Sequence, residues 1–174
     1  MRLGMGPRVA LIALVLCGGA RLASAQVKVA VINLQKAVLG TAEIGKASNA
    51  MEAKYKPRTT QIDQLQKDLA GISQQLQINA GKFTPQAEAD LQAQGQRKQR
   101  DLQRLQDDLQ NDVNAERNDI LQKASQKMSA VVKKIAEAQG FDLVVDVSTT
   151  VYFKPTMEIT MDAIAAYDKE YPAK

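Results

Sequence analysis

Residues 40–46 read Gly-Thr-Ala-Glu-Ile-Gly-Lys, and an apolar run, VKVAVINL at 27–34, precedes them. A strand followed by Gly, four residues, Gly and Lys has the spacing of a phosphate-binding loop, whose backbone N–H groups cradle the phosphates while the lysine reaches them. LVVD at 143–146 mimics the apolar run whose aspartate holds magnesium in such sites. Three features count against the match. Ala47 stands where the metal-binding Ser or Thr hydroxyl belongs. Gly40 comes six residues after the strand instead of opening directly from it. The acid lies beyond about 100 residues of helical pattern containing no βαβ unit, so no parallel nucleotide sheet is expected around it. Lys46 therefore reads as part of a helix start, and no cofactor is assigned.

The remaining chemistry is sparse. The chain has no histidine and one cysteine, Cys17, inside an apolar N-terminal stretch. Thiol nucleophiles, zinc-finger ligands and histidine triads have nothing to be built from once that stretch is removed. Asp107 and Asp108 sit on a polar helix face without a pocket, so the chain carries no expected catalytic or metal site and reads as a non-enzyme. RKQR at 97–100 suits phosphate or an acidic glycolipid, but Asp101, Asp107 and Asp108 follow at once and favour a solvated, self-paired helix face. Contact with membrane lipid or lipopolysaccharide stays open as a second role for these cations.

The elements that position these residues begin with an export signal. Arg2 and Arg8 precede VALIALVLC, and small residues at Ala23 and Ala25 follow, which is the three-part plan of a cleaved secretory signal. We place the cut between Ala25 and Gln26. Cys17 is similar to a lipoprotein cysteine, but Leu16 fills the position where a small residue belongs. The apolar core is about half the ~20 residues that a spanning helix needs. Cleavage removes three of the 23 cations and none of the 19 anions, so the net charge falls from +4 to +1. A chain so balanced lacks the clustered cation that nucleic-acid binding requires.

Three zones follow. Residues 27–34 form an expected strand, apolar on both faces and hence covered on both sides. From Thr41, a candidate N-cap, apolar positions recur at Ile44, Met51, Tyr55, Ile62, Leu65, Leu69, Ile72 and Leu76, a heptad seam. Gly81 predicts a stop, Thr84 an N-cap and Pro85 the first turn of a second helix, which runs to Gln139. The two helices are expected to fold back as an antiparallel hairpin over 41–139 with its tip near 79–85. At 1.5 Å per residue the second spans roughly 80 Å, so it must project from any compact body. Pro57, Gly71 and Gly95 are the candidate flexing points. Ile78 and Phe83, apolar groups at the tip, are candidate contacts for a bound partner. After Gly140, FDLVVDV and VYF predict a β-hairpin with Phe141, Leu143, Val145 and Val147 on one face, and Thr160 caps a short terminal helix.

Residues 26–40 and 140–174 make a β-rich unit of about 50 residues, too small to bury a stable core alone. Strands from several copies are therefore expected to complete it, with Val29, Val31, Leu143, Val145 and Val147 in the shared core. The fold class is α+β: a small barrel-type body completed by oligomerisation, with a long helical hairpin projecting from it.

VAVINLQKAV followed by EIGKA, the Gln/Lys-rich hairpin, and GFDLVVD with VYFKP and MEIT near the end resemble, in that order and spacing, the Skp/OmpH family of periplasmic chaperones. The resemblance covers essentially the whole chain after the signal. It implies a homotrimer with a barrel body and three arms around a cavity that holds unfolded outer-membrane proteins without ATP. The family's arm tips are often strongly basic, and the near-neutral charge here departs from that. The competing reading is a structural or adaptor coiled coil of the cell envelope that binds a folded partner.

Overall fold

The computed structural model describes residues 27–173; the expected export signal, its expected cut between Ala25 and Gln26, and Cys17 lie outside them. The elements are β1 (Val29–Ile32), α1 (Leu34–Leu39), α2 (Ala42–Ile78), α3 (Pro85–Gln139), β2 (Leu143–Asp146) and α4 (Thr160–Glu170). Among the described residues no helix is long and apolar enough to cross a membrane.

Local chemistry sets most boundaries. The Asn33 side chain accepts from Lys36 N at 2.8 Å, which ends β1 and starts α1 two residues before the expected strand limit. Thr41 caps α2 by accepting from Ile44 N, and Thr84 caps α3 by accepting from Ala87 N, with Pro85 at the first helical position. Gly81 takes a positive φ of 76° in the turn between the two helices. Gly140, at φ 66°, ends α3, and Phe141 N closes back onto Ala136 O at 2.9 Å. The hairpin limits read from the sequence, 85 and 139 for the second helix, are those of α3.

The sheet differs from expectation. β2 does not return as a hairpin with residues 151–153. It pairs with β1 in parallel, Val29 opposite Leu143 through Ile32 opposite Asp146. A parallel pair needs a long crossover, and the helical arm is that crossover, so the strands flanking it meet side by side. The turn after β2 explains why no hairpin forms. Asp146 Oδ1 accepts from Ser148 N at 2.8 Å, and the Asp146 carbonyl takes the Thr149 and Thr150 hydroxyls. This coils Val147–Thr149 into a short 3₁₀ turn and removes Val147 from the strand. The chain then reaches the opposite edge of β1, where Ile159 N donates to Val31 O at 2.9 Å. β1 is thus central, and among the described residues the outer edge of β2 is unpaired.

Thr160 is also used differently than expected. It is the first residue of α4 and not its cap. Its hydroxyl accepts from Asn33 N and donates to Glu158 Oε1, tying α4 to the β1–α1 junction.

One core holds these pieces. Ala30 and Ile32 of β1, Ala37 and Val38 of α1, Ala124, Met128 and Val131 of α3, and Ile159, Ala163 and Tyr167 form a single buried cluster. The root of α3 supplies its centre, and the rest of α2 and α3 leaves it as a two-helix arm. Gly40 permits the closest approach of α1 to α4: a Cβ there would meet Ile164 Cδ1 at 2.8 Å and Lys36 O at 3.0 Å. A Cβ at Gly45 or at Gly71 would meet nothing within 4 Å. We expect Gly40→Ala to destabilise by about 1–3 kcal/mol through overpacking. Gly71→Ala, in an open mid-helix position, should stabilise by about 0.5–1 kcal/mol. Urea unfolding midpoints of the two variants check the opposite signs.

Candidate functional site

The groups that could bind phosphate are already committed to the chain itself. Ala42 N, at the start of α2, donates to the Asp168 carboxylate at 2.9 Å, and Ile44 N is taken by Thr41 Oγ1. A helix N-terminus attracts anions, and here the anion is a side chain of α4. Lys46 lies exposed on α2. The strand that carries Asp146 does pair in parallel with β1, contrary to the sequence expectation. Its carboxylate nevertheless accepts from Leu34 N and Ser148 N, bonds that hold Asp146 below the usual carboxylate range, Ser148 contributing most. Residues 40–46 form a joint between body and arm.

That joint is a charged clamp. Glu43, in the first turn of α2, receives Lys127 Nζ of α3 on both carboxylate oxygens, at 2.7 and 2.9 Å. Tyr167 OH of α4 donates to Glu43 Oε2 at 2.6 Å. The Lys127 ammonium also lies 5.1 Å from the Tyr171 ring centroid. Lys127 and then Tyr167 lower the Glu43 pKa, while burial and then the Glu43 carboxylate push the Tyr167 hydroxyl well above the ordinary phenol range. Three helices therefore meet on one carboxylate. Sequence reasoning missed this clamp, because its members lie 84 and 124 positions from Glu43; the only local signal is an acid in the first turn of α2.

Beyond the joint, α2 and α3 run antiparallel and are laced by ion pairs. Lys54 meets Glu116 at 2.6 Å, Arg58 meets Asp112, and Lys98 meets Asp68 at 2.6 Å. Tyr55 OH donates to the same Glu116 oxygen, and Lys54 and then Tyr55 keep that carboxylate below its usual range. Lys98 of the basic run thus pairs across the hairpin and not along its own helix, while Asp101 pairs with Arg104. Along the outer arm, only Tyr55, Ile62 and Leu102 are buried, and the other seam positions named from the heptads are half-buried. Two helices alone cannot enclose a seam, so the arm is braced by exposed ion pairs, each of which contributes little.

The residues singled out in the sequence fall in different places. Val31 is buried and Val29 half-buried in β1, whereas Leu143 is 51% exposed and Val145 and Val147 are half-buried. Ile78 at the tip is 62% exposed, and Phe83 is half-buried in the turn. Pro57 lies inside α2, which continues through it. Gly95 faces Ile72 Cγ2, which a Cβ would approach to 3.3 Å, so this glycine lets the two helices pack closely.

Comparison with known proteins adds four findings. The model of the outer membrane protein (OmpH-like) family matches residues 28–167. The chaperone protein Skp of Salmonella typhimurium is 30% identical over 151 residues, spanning 84% of this chain and 91% of the relative. A Skp-like protein of Pseudomonas aeruginosa is 26% identical over 142 residues, spanning 82% and 84%. The crystal structure of an OmpH-like protein from Caulobacter crescentus superposes with a TM-score of 0.71 over 86% of this chain and 89% of that one, at 18% identity. That likeness shows a shared fold.

The clamp sets a pH dependence. The pKa of Glu43 is lowered by folding, so its contribution is present above the ordinary value of 4.5 and is lost as pH falls through the lower folded value. Glu43→Gln should lower the melting temperature by a few degrees near neutral pH. The gap to wild type should shrink as pH drops below about 4.5, and thermal melts across an acid series check it.

Proposed function

We propose a function from one premise: the chain belongs to the OmpH-like outer membrane protein family. It acts as an ATP-independent periplasmic holdase, exported by the signal at 1–25, which binds unfolded outer-membrane proteins between helical arms and keeps them from aggregating. The observation that carries this reading is the arm itself. Among the described residues, the hairpin over 42–139 packs for most of its length only on itself and is held to the body at its root. Such an element offers surface without enclosing a pocket, which suits a partner with no fixed shape.

The body supports a homotrimer. Two parallel strands are below the size of an independent sheet. The free edge of β2 lies beside exposed Leu143, and Val151 and Tyr152 on the following segment are also exposed. Residues 26–40 and 140–174 would form the trimerisation body, with Val29, Val145 and Val147 drawn into its shared core beside Leu143. Residues 41–139 would form the arm. Ile78 and Phe83 would touch clients at its tip, and Pro57, Gly71 and Gly95 would let its width vary. Weak contacts from three arms add through effective concentration, so no single side chain need dominate.

The test combines mass and activity. Sedimentation equilibrium should give three times the mass of the mature chain. The same sample, without nucleotide, should suppress light scattering when a urea-unfolded outer-membrane barrel is diluted into it at a stoichiometric ratio. Unchanged aggregation would remove the holdase reading and favour an adaptor coiled coil.

A further inference from the structure

Where α1 meets the roots of α2 and α3, the surface carries an apolar groove made of two adjoining hollows of about 300 and 320 Å³. Leu34 and Leu39 of α1, Ile44 and Met51 of α2, and Ile120 and Leu121 of α3 line it. Leu39 is 47% exposed there. Arg117 borders both hollows and is the one charged residue lining either.

Arg117 enters none of the ion pairs among the described residues. Positions three and four away on its helix are Val113, Asn114, Ile120 and Leu121, so α3 offers it no acid at helical reach. The carboxylates nearest in sequence are taken: Asp112 by Arg58, Glu116 by Lys54 and Tyr55, and Asp119 by Lys123. Lys46, Lys56, Lys67, Lys82, Arg97 and Arg100 of the arm likewise enter none of these pairs, but of the unpaired cations Arg117 is the one that lines the hollows, an exposed guanidinium at the edge of an apolar trough.

We infer that the groove receives a segment of unfolded polypeptide in which apolar side chains stand beside a carboxylate, the apolar groups filling the hollows and Arg117 holding the acid. This rests on the holdase reading and adds a selectivity to it. Charge complementarity argues against the chain's own exposed apolar segment as occupant. Residues 147–157 of a second copy bring Val151 and Tyr152 but contain Lys154 and no acid, so they would set a cation against Arg117.

The test uses the full mature protein and three fluorescein-labelled peptides in one Gly/Ser frame, each with two leucines and differing by a single Asp, Asn or Lys beside them. Fluorescence anisotropy should rank Asp above Asn above Lys. Arg117→Gln, at an exposed position, should weaken the Asp peptide about threefold to fivefold, to the level of the Asn peptide, and added salt should do the same. Leu39→Asp should weaken all three by roughly tenfold. Equal binding of the three peptides to wild type, or no effect of Arg117→Gln, overturns the inference. So does a fall in assembly mass on Leu39→Asp, which would make the groove a contact between copies. Aggregation suppression by the same wild-type sample separates the two claims. A protein that suppresses aggregation without ranking the peptides loses only this site, whereas one that suppresses nothing loses the holdase reading.

Discussion

Ala124, Met128 and Val131 bury one face of α3 among β1, α1 and α4, and the placement of the other elements follows from that burial. The same helix that forms the centre of the body continues outward as half of the arm. Its length, 55 residues or roughly 80 Å, means that most of it has no body to pack against. The chain thus combines a densely buried root with a hairpin whose stability has to come from its own narrow seam and its ion pairs. Met128 and Tyr167 at the root are fully buried, while Ile62 and Leu102 are the last buried groups toward the tip.

Electrostatics follows the same division. At the root, Glu43 gathers a lysine and a tyrosine from two other helices, and Asp168 fills the anion site at the start of α2. These contacts explain why a sequence with the spacing of a phosphate-binding loop forms a joint: the N–H group that would face a phosphate already faces a carboxylate. Farther out, Lys54–Glu116 and Arg58–Asp112 bridge the helices in exposed settings and Lys98–Asp68 in a half-buried one. Exposed pairs fix register more than they add stability, so the arm keeps its alignment while its local stability stays low. An element with few buried contacts belongs to the easily opened part of a fold.

Much of the fold was legible because local chemistry wrote it. Thr41, Thr84, Pro85 and Gly140 mark helix ends by capping and by φ, and all four act where the sequence placed them. The heptad residues Tyr55 and Ile62 identified the seam face. What stayed hidden depends on contacts distant in sequence. FDLVVDV followed by VYF has the pattern of a hairpin, and only the Asp146 turn and the crossover through the arm turn it into a parallel pair with β1. Thr160 reads as a cap until Asn33, 127 positions away, takes its hydroxyl. For the candidate site, Pro57, Gly71 and Gly95 were visible as irregularities, whereas the Glu43 clamp and the place of Arg117 beside the groove emerge only once the four helices are brought together.

The division between root and arm is open to one direct measurement, native-state amide hydrogen exchange on the mature protein. Residues 124–135 of α3 and β1 should exchange slowest, and amides of 62–78 and 85–102 should exchange faster by orders of magnitude, with protection falling steadily toward the tip. Outer-arm amides as protected as those around Met128 would contradict it, showing that the arm is packed as firmly as the body and is not a compliant surface.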